Sequence, residues 1–123
     1  MNKIRVLIAD DHQVVREGLS AVLKMKEDIE VVGLAKDGVD AVEKARQLLP
    51  DVVLMDISMP RMNGVEATRE IKRENPHIGV VVLTMYDEED YIFDLVKAGA
   101  TGYLLKDADS TQIAKAIRAV AHG

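Results

Sequence analysis

Five residues able to do chemistry stand at or just beyond the ends of short apolar segments: Asp10, Asp11, Asp56, Thr84 and Lys106. Three clustered carboxylates repel one another, and one of them would take up a proton unless a cation offset the charge. Mg²⁺ prefers oxygen ligands, commonly carboxylates together with water and phosphate oxygens. The pattern therefore predicts a magnesium site with a hydroxyl and an amine beside it.

The metal ligands can be assigned in more detail. We predict Asp11 and Asp56 as direct ligands, with Asp10 acting directly or through water. The main-chain carbonyl of Ser58, two residues beyond Asp56, is placed to complete the coordination shell. His12 follows the acidic pair and could also be a ligand, but a surface position on the first helix is the favoured interpretation.

Each of these residues also has an ordinary structural explanation. Asp11 could cap a helix, and Asp56 could be a turn residue after a strand. Thr84 and Lys106, taken singly, would be unremarkable surface groups. The functional interpretation depends on all five residues meeting at one edge of the fold.

The surrounding sequence predicts such an edge, because strand and helix patterns alternate five times along the chain. This alternation favours a parallel sheet with helices on both faces, which binds ligands beyond the carboxyl ends of its strands. Asp37, Asn63 with Glu66, and Asp109 or Ser110 are predicted helix starts, and the fourth helix should face inward through Ile92, Leu95 and Val96. The predicted strands are Ile4–Ala9, Ile29–Ala35, Val52–Met55, Ile78–Leu83 and Gly102–Leu105, and the first and fourth helices are predicted to run from His12 to about Met25 and from Asp87 to about Ala98.

Composition limits the class of protein. The 123 residues suit one domain, and 48% are hydrophobic with few aromatics, so the core must be aliphatic. The absence of cysteine rules out disulfides and fits a cytoplasmic location. No apolar run approaches the roughly 20 residues needed to span a bilayer. The net charge of −5 makes this segment a poor binder of nucleic acid.

Three motifs carry a resemblance to a known family. The segments VLIADDHQVVREGL, VVLMDISMPRMNG and ATGYLLKD together resemble the response-regulator receiver domain, most closely its NarL/FixJ branch. The resemblance covers the whole chain, residues 1–123. It implies the flavodoxin-like (βα)5 fold in three α/β/α layers, with strand order 2-1-3-4-5.

The resemblance also implies a role for each site residue. Asp56 matches the phosphoacceptor, and Asp10 and Asp11 match the acidic pair that holds Mg²⁺. Lys106 matches the lysine that contacts the phosphoryl oxygens, Thr84 the switch hydroxyl that also contacts them, and Tyr103 the switch aromatic. The family's lysine is often followed by proline, whereas here Asp107 follows, which leaves the isomer of that peptide bond open.

The expected function is that of a phosphorylated switch in a transcriptional regulator. A sensor histidine kinase or a small acyl phosphate would supply the phosphoryl group, and activation would favour a homodimer. We expect a C-terminal helix-turn-helix domain beyond residue 123 to carry DNA binding, with no membrane partner. Two alternatives stay open: a stand-alone receiver that acts by docking on a protein, and a Mg²⁺-dependent phosphatase or phosphotransferase.

Overall fold

A computed structural model describes the backbone of residues 3–84 and 89–123, and the side chains of residues 3–84 and 92–123. Strands and helices alternate strictly along the chain, as predicted. Among the described residues, no helix is long and apolar enough to cross a bilayer. The elements are β1 (Ile4–Ala9), α1 (Gln13–Lys24), β2 (Ile29–Ala35), α2 (Gly38–Leu48), β3 (Val52–Asp56), α3 (Gly64–Glu74), β4 (Gly79–Thr84), α4 (Glu89–Ala98), β5 (Gly102–Leu105) and α5 (Ser110–His122).

The five strands form one parallel sheet in the order β2-β1-β3-β4-β5, which confirms the predicted fold. Side chains of a strand point alternately to the two faces, so a central strand contributes to two cores. Leu7 and Ala9 of β1 join the core under α2, α3 and α4, while Val6 and Ile8 join the core under α1 and α5. All four are at most 1% exposed, and full burial of such a Val, Leu or Ile stabilises the fold by about 1.5–3 kcal/mol.

Local capping signals in the sequence locate the helix starts. Asp37 accepts a hydrogen bond from the Asp40 N–H at 2.8 Å and begins α2. Capping boxes begin α3 at Asn63 with Glu66, and α5 at Asp109 with Gln112. Of the two predicted starts for the last helix, Asp109 is therefore the cap.

The inner face of α4 differs from the prediction at one residue. Leu95 and Ala98 are buried against the sheet, but Val96 is 68% exposed. Each helical residue advances about 100°, so Val96 lies on the outer face once Leu95 and Ala98 face the core. The predicted helix start at Asp87 lies outside the described residues.

Candidate functional site

Strand register brings the predicted residues to one edge of the sheet. Ala9 of β1 pairs with Met55 of β3, so Asp10 comes level with Asp56. On the other side of β3, Asp56 pairs with Leu83, the residue before Thr84. Thr84 pairs with Leu105, and its carbonyl accepts a 2.7 Å hydrogen bond from the Lys106 N–H. Residues that are nearly 100 positions apart in sequence therefore share the carboxyl edge of four adjacent strands.

Three carboxylates and one imidazole converge at this edge. One ligand atom each from Asp10, Asp11, His12 and Asp56 lies within 4.8 Å of the other three. The His12 Nδ1 atom is 3.1 Å from Asp11 Oδ1 and 3.4 Å from Asp10 Oδ1. The sequence favours a surface position for His12, and its side chain is 67% exposed, yet its ring nitrogen lies within the acidic group.

Several carboxylate oxygens of this group lack hydrogen-bond donors. Asp10 Oδ2 and Asp56 Oδ2 are buried without a hydrogen-bond partner among the described residues, and both side chains are at most 1% exposed. Asp11 Oδ1 is also buried, and its 3.1 Å contact with His12 Nδ1 does not form a hydrogen bond. Buried charged oxygens normally find donors, because desolvation without compensation is costly. Buried carboxylate oxygens without donors, in a group this compact, fit a hard divalent cation. The donor set therefore suits a metal ion held by Asp10, Asp11 and Asp56.

Asp56 and Lys106 form an ion pair within the site. Lys106 Nζ lies 2.9 Å from Asp56 Oδ1, with the aspartate side chain fully buried and the lysine side chain 24% exposed. Burial is the largest influence on the pKa of Asp56 and raises it; the hydrogen bond from Lys106 opposes this rise, and the charge of Asp10 adds to it. Burial tends to lower the pKa of Lys106, but contact with Asp56 outweighs it and raises the lysine pKa. The lysine thus carries its charge beside a carboxylate that burial disfavours as an anion.

The loop between β3 and α3 is held in place from two sides. Arg61, whose φ is +65°, donates to both carboxylate oxygens of Asp37, at 2.9 and 3.2 Å. Gly64 packs so closely on the main chain of Asp56 and Ile57 that a Cβ there would collide with it. No local pattern in the sequence indicates this role of Arg61, because Asp37 is 24 residues away.

Ser58 lies in this loop. The Ser58 N–H donates a hydrogen bond to Asp56 Oδ1 at 3.4 Å. That contact brings the Ser58 main chain beside the acidic group. Its carbonyl remains a predicted metal ligand.

The two predicted switch residues lie in different environments. Thr84 is 2% exposed at the end of β4, whereas Tyr103, on the edge strand β5, is 51% exposed. A groove of about 390 Å³ between α4 and β5 lies beside the tyrosine and is lined by Ile92, Leu95 and Val96, among others. The Lys106–Asp107 peptide, whose isomer was left open, is trans.

Comparison with known proteins agrees with this architecture. Residues 6–118 match the family described as the response regulator receiver domain. The chain is 47% identical over 122 residues to the transcriptional regulatory protein DegU of Brevibacillus brevis, covering 99% of this chain and 52% of that protein. It is 48% identical over 120 residues to the transcriptional regulatory protein LiaR of Bacillus subtilis (strain 168), covering 98% and 57%, respectively. The chain thus spans about half the length of these curated relatives.

A solved structure shows the same fold. The signal receiver domain of the putative response regulator NarL from Mycobacterium tuberculosis superimposes with a TM-score of 0.93 at 36% identity, covering 100% of this chain and 99% of that one. The predicted resemblance to the NarL/FixJ branch is confirmed by these relatives. With the family matched over 6–118 and the acidic edge where the fold binds ligands, this chain belongs to the response regulator receiver domain family of two-component systems.

Proposed function

We propose that Asp56 is the phosphoacceptor of this receiver domain and that Mg²⁺ binds beside it. The single observation that supports this assignment most strongly is the environment of Asp56. One of its buried oxygens contacts Lys106 Nζ at 2.9 Å, and the other has no hydrogen-bond donor among the described residues. A carboxylate with a cation on one side and a bare oxygen on the other is suited to act as a nucleophile.

In the proposed reaction, an oxygen of Asp56 attacks the phosphorus atom of the donor. The new O–P bond gives an acyl phosphate, and the P–N bond of a kinase phosphohistidine, or the P–O bond of a small acyl phosphate, breaks with its electron pair leaving on the donor. When bound, Mg²⁺ supplies positive charge that offsets the phosphoryl and carboxylate oxygens. Lys106 adds a compact point charge to the phosphoryl oxygens.

Three side chains and one carbonyl are proposed to hold the magnesium ion. They are those of Asp10, Asp11 and Asp56, together with the Ser58 carbonyl. Support comes from the buried oxygens of Asp10 and Asp56 that have no donor among the described residues, and from the Ser58 N–H contact with Asp56. The Arg61–Asp37 pair acts as a positioning contact, because it fixes the loop that carries Ser58.

Phosphorylation is proposed to reach the α4–β5 surface through Thr84 and Tyr103. The new group adds roughly −1.5 to −2 charges, by analogy with other phosphorylated side chains, and the Thr84 hydroxyl can donate to one of its oxygens. The groove beside Tyr103 provides space into which the ring can rotate. The result is a population shift between two arrangements of one fold.

The wider partners are also proposals. The phosphoryl donor would be a sensor histidine kinase in the cytoplasm, and phosphorylation would favour a homodimer. DNA binding would reside in a C-terminal helix-turn-helix domain of a longer protein, which is supported by the greater length of the relatives named as transcriptional regulators. Catalysis by this domain would then be limited to its own phosphoryl transfer and dephosphorylation.

The acceptor assignment is tested by incubating the protein with acetyl phosphate and Mg²⁺ and measuring intact mass. We expect one added phosphoryl group in the unmodified protein and none in Asp56→Asn. Asp51→Asn is the matched control, because Asp51 is an exposed carboxylate just before the opposite end of the same strand. Equal labelling of Asp56→Asn and the control would exclude Asp56 as the acceptor.

A further inference from the structure

We propose that His12 supplies a nitrogen ligand at this metal site, so that the domain also binds borderline transition-metal ions such as Ni²⁺ through carboxylates and one imidazole. The inference rests on the proposed function, because it concerns the cation site beside Asp56. The observation behind it is the position of the His12 ring nitrogen among the three carboxylates.

Distances within the group match the geometry of one coordination shell. With bonds of about 2.1 Å, neighbouring ligands of an octahedral ion lie about 3.0 Å apart and opposite ligands about 4.2 Å apart. His12 Nδ1 lies 3.1 Å from Asp11 Oδ1 and 3.4 Å from Asp10 Oδ1, which are spacings of neighbouring ligands. The four ligand atoms fit within 4.8 Å, so a contraction of about 0.6 Å, to the spacing of opposite ligands, would place them around one ion.

The backbone holds His12 toward the acidic group. Its N–H donates a 2.9 Å hydrogen bond to Asp10 Oδ1, and its extended conformation (φ −98°, ψ 117°) precedes the first turn of α1. The guanidinium of Arg16 binds the Asp10 carbonyl at 2.6 Å, which fixes the same turn. The His12 side chain makes no capping hydrogen bond to α1, so its ring is available to the group.

Two buried oxygens of this group lack hydrogen-bond donors. Asp10 Oδ2 and Asp56 Oδ2 have no hydrogen-bond partner among the residues that the structure describes, and their side chains are at least 99% buried. These oxygens point to a bound cation independently of the histidine. The imidazole then decides which cations bind well, because carboxylates suit Mg²⁺ and Mn²⁺ whereas imidazole suits Ni²⁺ and Zn²⁺.

Nitrogen ligation can be detected directly with Mn²⁺ as the probe. Pulsed electron paramagnetic resonance of Mn²⁺ bound to the protein should show ¹⁴N coupling from a coordinated imidazole. We expect this coupling in the unmodified protein and in His77→Gln, the control, whose histidine is exposed on the loop before β4. It should disappear in His12→Gln.

Metal selectivity provides the second measurement. By titration calorimetry, His12→Gln should weaken Ni²⁺ binding by about tenfold or more, because it removes a ligand that Ni²⁺ favours. Mg²⁺ binding should change by less than about twofold, since Mg²⁺ is held by oxygen. Equal losses for the two ions, or none, would contradict the proposal.

The outcomes separate this proposal from the one on which it rests. If Mn²⁺ binds, and Asp56→Asn abolishes that binding, but no ¹⁴N coupling is seen, then His12 is not a ligand and the cation site stands. If Asp56→Asn leaves Mn²⁺ and Mg²⁺ binding unchanged, the cation site itself is wrong. Coupling that survives in His12→Gln would also overturn the role of His12.

Discussion

The aspartates at the two ends of the sheet differ in their hydrogen bonding. At the amino end, Asp28 accepts hydrogen bonds from Arg118 at 2.6 and 3.0 Å, and Asp51 accepts one from the Arg5 N–H at 2.8 Å. At the carboxyl end, Asp10 and Asp56 are buried, and each has an oxygen without a donor in the part of the chain that the structure describes. The carboxylates at the amino end are thus stabilised by hydrogen bonds within the chain, whereas those at the carboxyl end have oxygens that a ligand could bind.

The pKa values of Asp28 and Asp56 show the same contrast between the two ends of the sheet. The hydrogen bond from Arg118 lowers the pKa of Asp28, so its ionised form is favoured in the folded chain. Burial raises the pKa of Asp56, so its ionised form opposes folding. The charge at the carboxyl end therefore lowers the stability of the fold, as charges in functional sites often do.

The largest effect expected from this comparison is stabilisation by Mg²⁺. At 100 times its dissociation constant, a ligand that binds only the folded state adds about 2.7 kcal/mol to the free energy of unfolding. We expect this gain in the unmodified protein and in Asp51→Asn, but not in Asp56→Asn, and a reduced gain in Asp10→Asn. Urea denaturation with and without Mg²⁺ measures it, and a full gain in Asp56→Asn would show that the cation binds elsewhere.

Without metal, we expect smaller changes in the free energy of unfolding, with opposite signs for substitutions of Asp56 and Asp28. At pH 7, Asp56→Asn should raise the free energy of unfolding by about 1 kcal/mol, because it removes a desolvated charge and leaves the partly exposed Lys106 near Asp10 and Asp11. Asp28→Asn should lower it, because an ion pair with Arg118 is lost. Urea denaturation in the presence of a chelator compares the two variants. A destabilised Asp56→Asn protein would show that the Asp56 charge does not oppose folding.

The contributions of Asp56 and Asp28 to the free energy of unfolding should change with pH in opposite directions. A raised folded pKa means that folding binds a proton at Asp56, so its contribution to stability is complete below the ordinary value of 3.8 and is lost as pH rises through the folded pKa. The advantage of Asp56→Asn should therefore shrink as pH falls. The lowered pKa of Asp28 gives stability that is present above 3.8 and is lost as pH falls through the folded pKa.

The smallest effect is expected at the loop contact. Arg61→Ala should weaken Mg²⁺ binding by less than about tenfold, since Arg61 acts through the loop that carries Ser58 and is not itself a ligand. Arg73→Ala is the control, because Arg73 pairs with Glu70 within α3. Calorimetric titration of both variants with Mg²⁺ tests this, and equal affinities would show that Ser58 does not depend on the Arg61–Asp37 pair.

Much of the fold could be predicted because its signals are local. Strands β1, β2 and β5 have the predicted bounds, and the caps at Asp37 and Asn63 begin the predicted helices. Alternating strands and helices then leave few topologies for a parallel sheet. Val96 was misplaced because its hydrophobicity resembles that of Leu95, and only packing decides which one faces the sheet.

By itself, the sequence determined the strand–helix order, the residues at the strand ends and, through its motifs, the family resemblance. Periodicity and capping depend on neighbours in the chain, so they can be recognised before any folding is considered. Only the tertiary structure decided that Arg61 binds Asp37, that the His12 ring lies near Asp56 as well as near its chain neighbours, and that oxygens of Asp10 and Asp56 lack donors among the described residues. These features depend on side-chain distances across separate strands and loops, and no local pattern encodes them.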